Sequence, residues 1–218
     1  MELLASFIDI VLHLDKHLVA MVAEYGAWIY AILFAVIFSE TGFVVTPFLP
    51  GDSLLFVAGA VAATGGMDVH LLAALLILAA VLGNSVNYAI GRWLGRHFFT
   101  DRGSRWLNPA HLEKAHAFYQ EHGGKAVVIS RFLPIVRTYI PFVAGMGAMD
   151  WMRFSAFNLA GAVLWVASLC YAGYFFGNIP WIRGNLTLII VGIIFVSLLP
   201  LAWAWLRHRV AARRSAQS

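Results

Sequence analysis

The sequence predicts an all-α membrane protein: an inverted repeat of two proline-broken re-entrant hairpins, three transmembrane helices and an N-terminal amphipathic helix. Three observations carry that expectation. The 218 residues are 61% hydrophobic and only 12% charged, against about 25% charged in soluble domains, and the mean hydropathy is +0.78. A water-soluble globule could not cover so much apolar surface. The chain also repeats itself: Phe48-Leu49-Pro50, five residues and Phe56-Val57-Ala58-Gly59 return as Phe132-Leu133-Pro134, seven residues and Phe142-Val143-Ala144-Gly145. Finally, each copy is apolar yet charged, with Glu40 and Asp52 flanking the first and Arg131 and Arg137 flanking the second.

At the N-terminus, Leu3, Leu4, Phe7, Ile8, Val11, Leu14, Leu18 and Val19 recur at helical spacing, while Asp9, His13, Lys16 and His17 lie largely off that stripe. The pattern predicts an amphipathic helix over 3–22 lying in the membrane interface; a first spanning helix packed on the bundle is the alternative. No basic segment with an apolar stretch and small-residue cleavage site opens the chain, so this helix is expected to be retained. The division expected is 1–24 for the amphipathic helix, 25–206 for one transmembrane domain and 207–218 for a basic tail.

Uninterrupted charge-free runs at 71–91 and 154–177, and a third at 185–206, each reach the length of about 20 residues that crosses a bilayer. Within the third, Pro200 is expected to kink the helix. Arg92, Arg96, Arg102, Arg105, Lys114 and Lys125 crowd one connector, and Arg207, Arg209, Arg213 and Arg214 the tail. The positive-inside bias places both in the cytoplasm. The segment 126–152 then starts beside a cytoplasmic connector and precedes a span that must begin in the cytoplasm, so it is expected to re-enter from that side.

Pro134 and Pro141 are its breakers; Gly42, Pro47, Pro50 and Gly51 are those of the first copy, near 26–63, which dips from the other face. Met67-Asp68 and Met149-Asp150, then Gly91-x3-Gly95 and Gly173-x3-Gly177, echo in the same order. Glycine pairs at that spacing are by themselves a weak packing signal.

Other chemistries are poorly served. The single Cys170 lies in an apolar run, which excludes an internal disulfide and a dithiol pair and leaves packing as its expected role. The net charge of +4 is carried beside apolar spans, where topology and anionic lipid account for it and nucleic acid does not. A surface helix is expected over 108–123, opened by Asn108-Pro109 and stopped by Gly123-Gly124. Its His111, Glu113, His116 and His122, like His13 and His17, do not gather into a convincing metal set, so no metal or other cofactor is expected.

Ionisable side chains at membrane depth cost roughly 2.5–3.5 kcal/mol each on insertion scales, so four of them in broken segments point to a transport site. Arg131 and Arg137 offer forked donors suited to phosphate or carboxylate, and an anionic headgroup fits them. Glu40 and Asp52 are the candidates for proton coupling, their titration set by desolvation against a neighbouring guanidinium. The alternative is that two acids and two arginines simply pair as internal cross-links. Asn84, Ser85, Asn87 and Tyr88 are placed by the same span to line the cavity or to bond between helices.

At Glu40, Pro47-x2-Pro50-Gly51-Asp52, the stretch 83–95 with Tyr88-x2-Gly91-Arg92, and Arg131-x2-Pro134-x2-Arg137 followed by Ala144-Gly145 and Met149, the chain resembles the bacterial DedA family. That family is related to the VTT-domain lipid scramblases (the SNARE-associated Golgi type). The resemblance covers roughly 25–180 and implies a multi-pass protein of the bacterial inner membrane that carries undecaprenyl phosphate across it. Glu40, Asp52, Arg131 and Arg137 then fall at the family's functional acidic and arginine positions.

The expected function is therefore a non-enzymatic lipid-phosphate transporter or flippase, coupled to protons. Its partners would be lipid phosphate, protons and membrane lipids, its C-terminus cytoplasmic, and a homo-oligomer compatible with the sequence. A proton-coupled cation or drug exporter serving pH or osmotic tolerance is the alternative. A lipid phosphatase fits less well, because every histidine lies outside the broken segments. A purely structural scaffold is the fourth reading.

Overall fold

The structure is a computed structural model describing residues 14–43, 51–98, 122–133, 136–147, 149–177, 179–185, 188–189, 191–193 and 195. Residues 1–13 of the amphipathic helix, Pro47, Pro50, Pro134, the stretch 99–121, most of the third span with Pro200, and the basic tail lie outside the described residues.

All regular structure among the described residues is helical: α1 Leu14–Tyr25, α2 Trp28–Gly42, α3 Gly51–Ala62, α4 Val69–Phe98, α5 Lys125–Ile129, a 3-10 turn Ser130–Phe132, α6 Val136–Met146, α7 Trp151–Phe176 and α8 Pro180–Gly184. Among the described residues, two helices are long and apolar enough to cross a membrane, through Val69–Leu94 and Trp151–Phe176. Helices α2, α3 and α6 have 15, 12 and 11 residues, about 22, 18 and 16 Å at ~1.5 Å per residue. Each falls short of the roughly 30 Å hydrocarbon core.

Both long helices open on the Met-Asp echo, and the structure explains it. Asp68 Oδ1 accepts the Leu71 N–H at 2.7 Å, and Asp150 Oδ1 accepts the Arg153 N–H at 3.0 Å. Each aspartate caps its helix, a contribution of about 1 kcal/mol.

The short helices lie against the long ones at glycines. Gly59 of α3 meets the Cys170 carbonyl of α7 and Gly173 of α7 meets the Phe56 carbonyl of α3, so closely that a Cβ on either glycine would overlap the facing oxygen. The same contact recurs between α6 and α4, where Gly145 meets the Tyr88 carbonyl and Gly91 the Phe142 carbonyl. Phe56 and Gly59 are the first and last residues of one FVAG, Phe142 and Gly145 those of the other, and Gly91 and Gly173 each open a GxxxG. Each FVAG helix thus docks on a long helix by backbone-to-backbone approach, which only glycine allows.

Helix α3 is buried at every position but Asp52, as expected of an apolar helix enclosed on all sides. The main core joins α2, α3, α4 and α7 through Leu33, Ile37, Leu55, Leu72, Leu76 and Val166, and a smaller one gathers Tyr88, Val127, Ile140 and Phe154. Leu18 of α1 is fully buried in the main core, with Met21 and Val22 against it. This part of the N-terminal helix is therefore held by the bundle.

The two breaks expected in the second copy behave differently from each other. Leu133 ends the 3-10 turn in an extended conformation, φ −119° and ψ 105°, the preference of a residue that precedes proline. Pro141, expected to break the second copy, instead sits inside α6. A proline there removes the N–H that would satisfy the carbonyl one turn back and weakens that turn. The helix continues through it with the Pro141 ring buried, and Asn87 Nδ2 of α4 donates to the Thr138 carbonyl of the same turn at 2.8 Å.

Candidate functional site: a buried charge cluster

Four segments deliver the four charges to one place. Glu40 lies in the last turn of α2 and Asp52 in the first turn of α3. Glu40 Oε2 lies against Gly51, where any Cβ would overlap the carboxylate. A negative group at the start of α3 is also favoured by the helix dipole. Arg131 comes from the 3-10 turn and Arg137 from the first turn of α6.

Arg137 is shared between both acids. Its Nη2 donates to Glu40 Oε1 and its Nη1 to Asp52 Oδ1 at 3.0 Å. Arg131 has no carboxylate partner among the described residues. Its Nη2 donates instead to Asn158 Oδ1 at 2.7 Å, and to the Ala80 carbonyl at 3.3 Å. Both arginines are buried, at 3% and 9% exposure, so neither charge is dissipated into solvent.

Trp165 of α7 ties the two halves of the cluster together. Its indole N–H donates to Asp52 Oδ1 at 2.8 Å. Its ring lies 5.8 Å from the Arg131 guanidinium carbon and 5.5 Å from that of Arg137, within the range of cation–π attraction. Around it, Asn84 donates to Asn158 Oδ1 at 3.0 Å and Asn158 donates to the Val81 carbonyl at 3.0 Å. Thr41, Asn84, Arg131, Arg137, Thr138 and Trp165 enclose a cavity of about 10 Å³, room for about one water. The Nε–H groups of both arginines find no protein acceptor among the described residues.

All four charged residues expected from the sequence therefore meet. Asn84 lines the cavity, and Asn87 lies beside it, bonded to the Thr138 carbonyl. Tyr88 does not line it. One turn further along α4, it stacks on Phe154 with ring centroids 4.3 Å apart, and its hydroxyl donates to the Met149 carbonyl. Trp165 and Asn158 were missed: both stand in a run read as a plain span, although a polar residue such as Asn158 at membrane depth was itself a signal.

Replacing Trp165 tests the hub. Trp165→Phe keeps a π face but removes a donor from Asp52, an expected loss of about 1–3 kcal/mol in stability. Trp165→Leu is expected to cost a further ~1 kcal/mol or more because both guanidinium contacts go as well. Thermal unfolding of the purified variants measures both, and equal losses would show that the ring face contributes nothing.

Paired long apolar helices, half-length helices and a charge cluster buried except for part of Asp52 define a helical membrane protein whose polar chemistry is enclosed by the bundle. The VTT domain family pattern matches residues 49–175. The chain is 53% identical over 219 residues to Protein DedA of Escherichia coli K12, covering all of both chains. It is 41% identical over 179 residues to an uncharacterized membrane protein of Mycobacterium leprae, covering 82% of this chain and 80% of that one. With inner membrane protein YqjA of E. coli K12 it shares 38% identity over 183 residues, 83% and 81% of the two chains. No solved structure is matched. The chain belongs to the DedA family of VTT-domain membrane proteins.

Proposed function

We propose that the protein is a transporter that moves a lipid phosphate across the bacterial inner membrane, with no covalent step, using the charge cluster as its phosphate site. The substrate favoured by the family resemblance is undecaprenyl phosphate, its polyprenyl tail remaining in lipid. The half-length helices and the twice-made glycine contact support an inverted repeat in which α2 with α3, and α5 with α6, form hairpins dipping from opposite faces. The basic tail is assigned to the cytoplasm.

The single observation that carries this reading is the unequal pairing of the arginines. Arg137 already holds both acids, whereas Arg131 is buried beside the cavity with only neutral partners. A cation exporter would need accessible carboxylates, and both are engaged. An anion would instead find a fixed charge at Arg131 and spare N–H donors on both arginines.

A cavity sized for one water does not admit a phosphate, so this conformation is closed. In the cycle we infer, protons arriving at Glu40 and Asp52 release Arg137 to share the phosphate with Arg131. Deprotonation returns Arg137 to the acids and expels the headgroup.

Proteoliposomes carrying undecaprenyl phosphate in one leaflet test the reading. Arg131→Gln keeps a donor but loses the charge, and removing one charge-assisted contact, about 2 kcal/mol, predicts roughly a thirty-fold fall in flux. The variant should remain folded, because no carboxylate loses its partner. Flux equal to that of the parent protein would exclude Arg131 as the phosphate site.

A further inference from the structure

A second polar pocket lies at the end of the bundle where α4 finishes and α7 begins. The two helices run antiparallel: at one end His70 Nδ1 and the Tyr171 hydroxyl are 2.8 Å apart, and at the other the rings of Tyr88 and Trp151 are 5.3 Å apart. The apolar stretch of α4 closes at Leu94 and that of α7 opens at Trp151. Arg92, Trp93 and Trp151 therefore share one membrane face. Between them is an open groove of about 300 Å³, lined among the described residues by Tyr88, Ala89, Arg92, Trp93 and Trp151.

The groove holds an oriented cation. The Tyr88 hydroxyl spends its proton on the Met149 carbonyl, so it receives the Arg92 Nη1–H at 3.0 Å as an acceptor. Tyr88 is itself 1% exposed and stacked on Phe154, which makes it a rigid post for the guanidinium. An arginine that merely reached for water would leave the apolar surface freely, whereas this one is bonded to a buried hydroxyl. The rest of its donor fork meets no protein acceptor among the described residues.

Trp93 and Trp151 are 64% and 47% exposed, and large amphipathic indoles at a span end belong at headgroup level. The neighbouring carboxylate, Asp150, caps α7 through the Arg153 N–H and forms no ion pair with Arg92.

We infer that this groove binds the phosphate headgroup of an anionic bilayer lipid, with Arg92 on the phosphate and the indoles of Trp93 and Trp151 flanking the glycerol and first acyl carbons. The volume reaches the lower end of small-ligand sites, and the charge and depth match a headgroup whose chains stay in the bilayer. The site is separate from the central cluster and is read by static binding, not by flux.

The experiment is native mass spectrometry of the full-length detergent-solubilised protein with dioleoyl phosphatidate or with dioleoylglycerol, which lacks the phosphate. The parent protein should retain phosphatidate in preference to diacylglycerol. Arg92→Gln should reduce that retention at least about tenfold, Arg92→Lys should keep part of it because the charge survives without the fork, and Arg131→Gln should leave it intact. Ala89→Trp, a change at an exposed groove position, should block retention as Arg92→Gln does, and serves if Arg92→Gln does not fold. Equal retention of the two lipids, retention unaffected by both groove variants, or loss confined to Arg131→Gln would each overturn the assignment.

Discussion

Arg137→Ala is expected to abolish lipid-phosphate flux and to lower the stability of the folded protein by about 3–5 kcal/mol, the usual consequence of removing one partner from a buried ion pair. The reason lies in what is left behind. Glu40 is 1% exposed, while Asp52 is partly exposed and accepts from both Arg137 and the Trp165 indole, so the alanine variant strands the Glu40 charge away from water and leaves Asp52 with the indole as its donor. Neutralising them in the triple variant Arg137→Ala, Glu40→Gln, Asp52→Asn should recover most of the lost stability without recovering flux. Thermal unfolding and proteoliposome transport on the same preparations separate the two effects. Transport regained by the triple variant would mean that the charges serve only as cross-links.

Gly173→Val should damage the fold more broadly. A Cβ at Gly173 overlaps the Phe56 carbonyl and approaches the Ala60 nitrogen at 3.0 Å, and both are backbone atoms that no rotamer change can move. Overpacking ordinarily costs about 1–3 kcal/mol, and a clash with main chain falls at or beyond the upper end. Gly91→Val meets the Phe142 carbonyl in the corresponding way and should fail to the same degree. Gly192→Val is the control, since nothing among the described residues lies within 4 Å of a Cβ there. Size-exclusion profiles and unfolding temperatures read the comparison, and a Gly173→Val protein as stable as the control would refute the close approach of α3 and α7.

The elements written in local pattern were legible before any coordinates. Long apolar runs announced α4 and α7, whereas the Met-Asp echo read only as a repeat until the structure showed each aspartate capping a long helix. The charged residues were singled out by the cost of placing them in an apolar chain, and they do meet. Pairing across the fold was less accessible. Counting charges gave two acids against two arginines, whereas the structure assigns both acids to Arg137 and gives Arg131 an asparagine and a carbonyl.

That division depends on which helix reaches which, a non-local property that no spacing encodes. Trp165 carried no polar signal within its apolar run, yet it stands between the guanidiniums. Pro141 looked like a breaker because its local rule is strict, but Asn87, fifty-four positions earlier in the chain, supplies a bond to the weakened turn.

The glycine-to-carbonyl contacts have a mechanical consequence. Backbone pressed on backbone packs α3 with α7 as one close-set body and α4 with α6 as another. The bonds from Arg137 to Asp52 and between Asn84 and Asn158 run from one body to the other. Any parting wide enough to seat a larger guest must open along that seam, and the polar side chains are the latches it undoes.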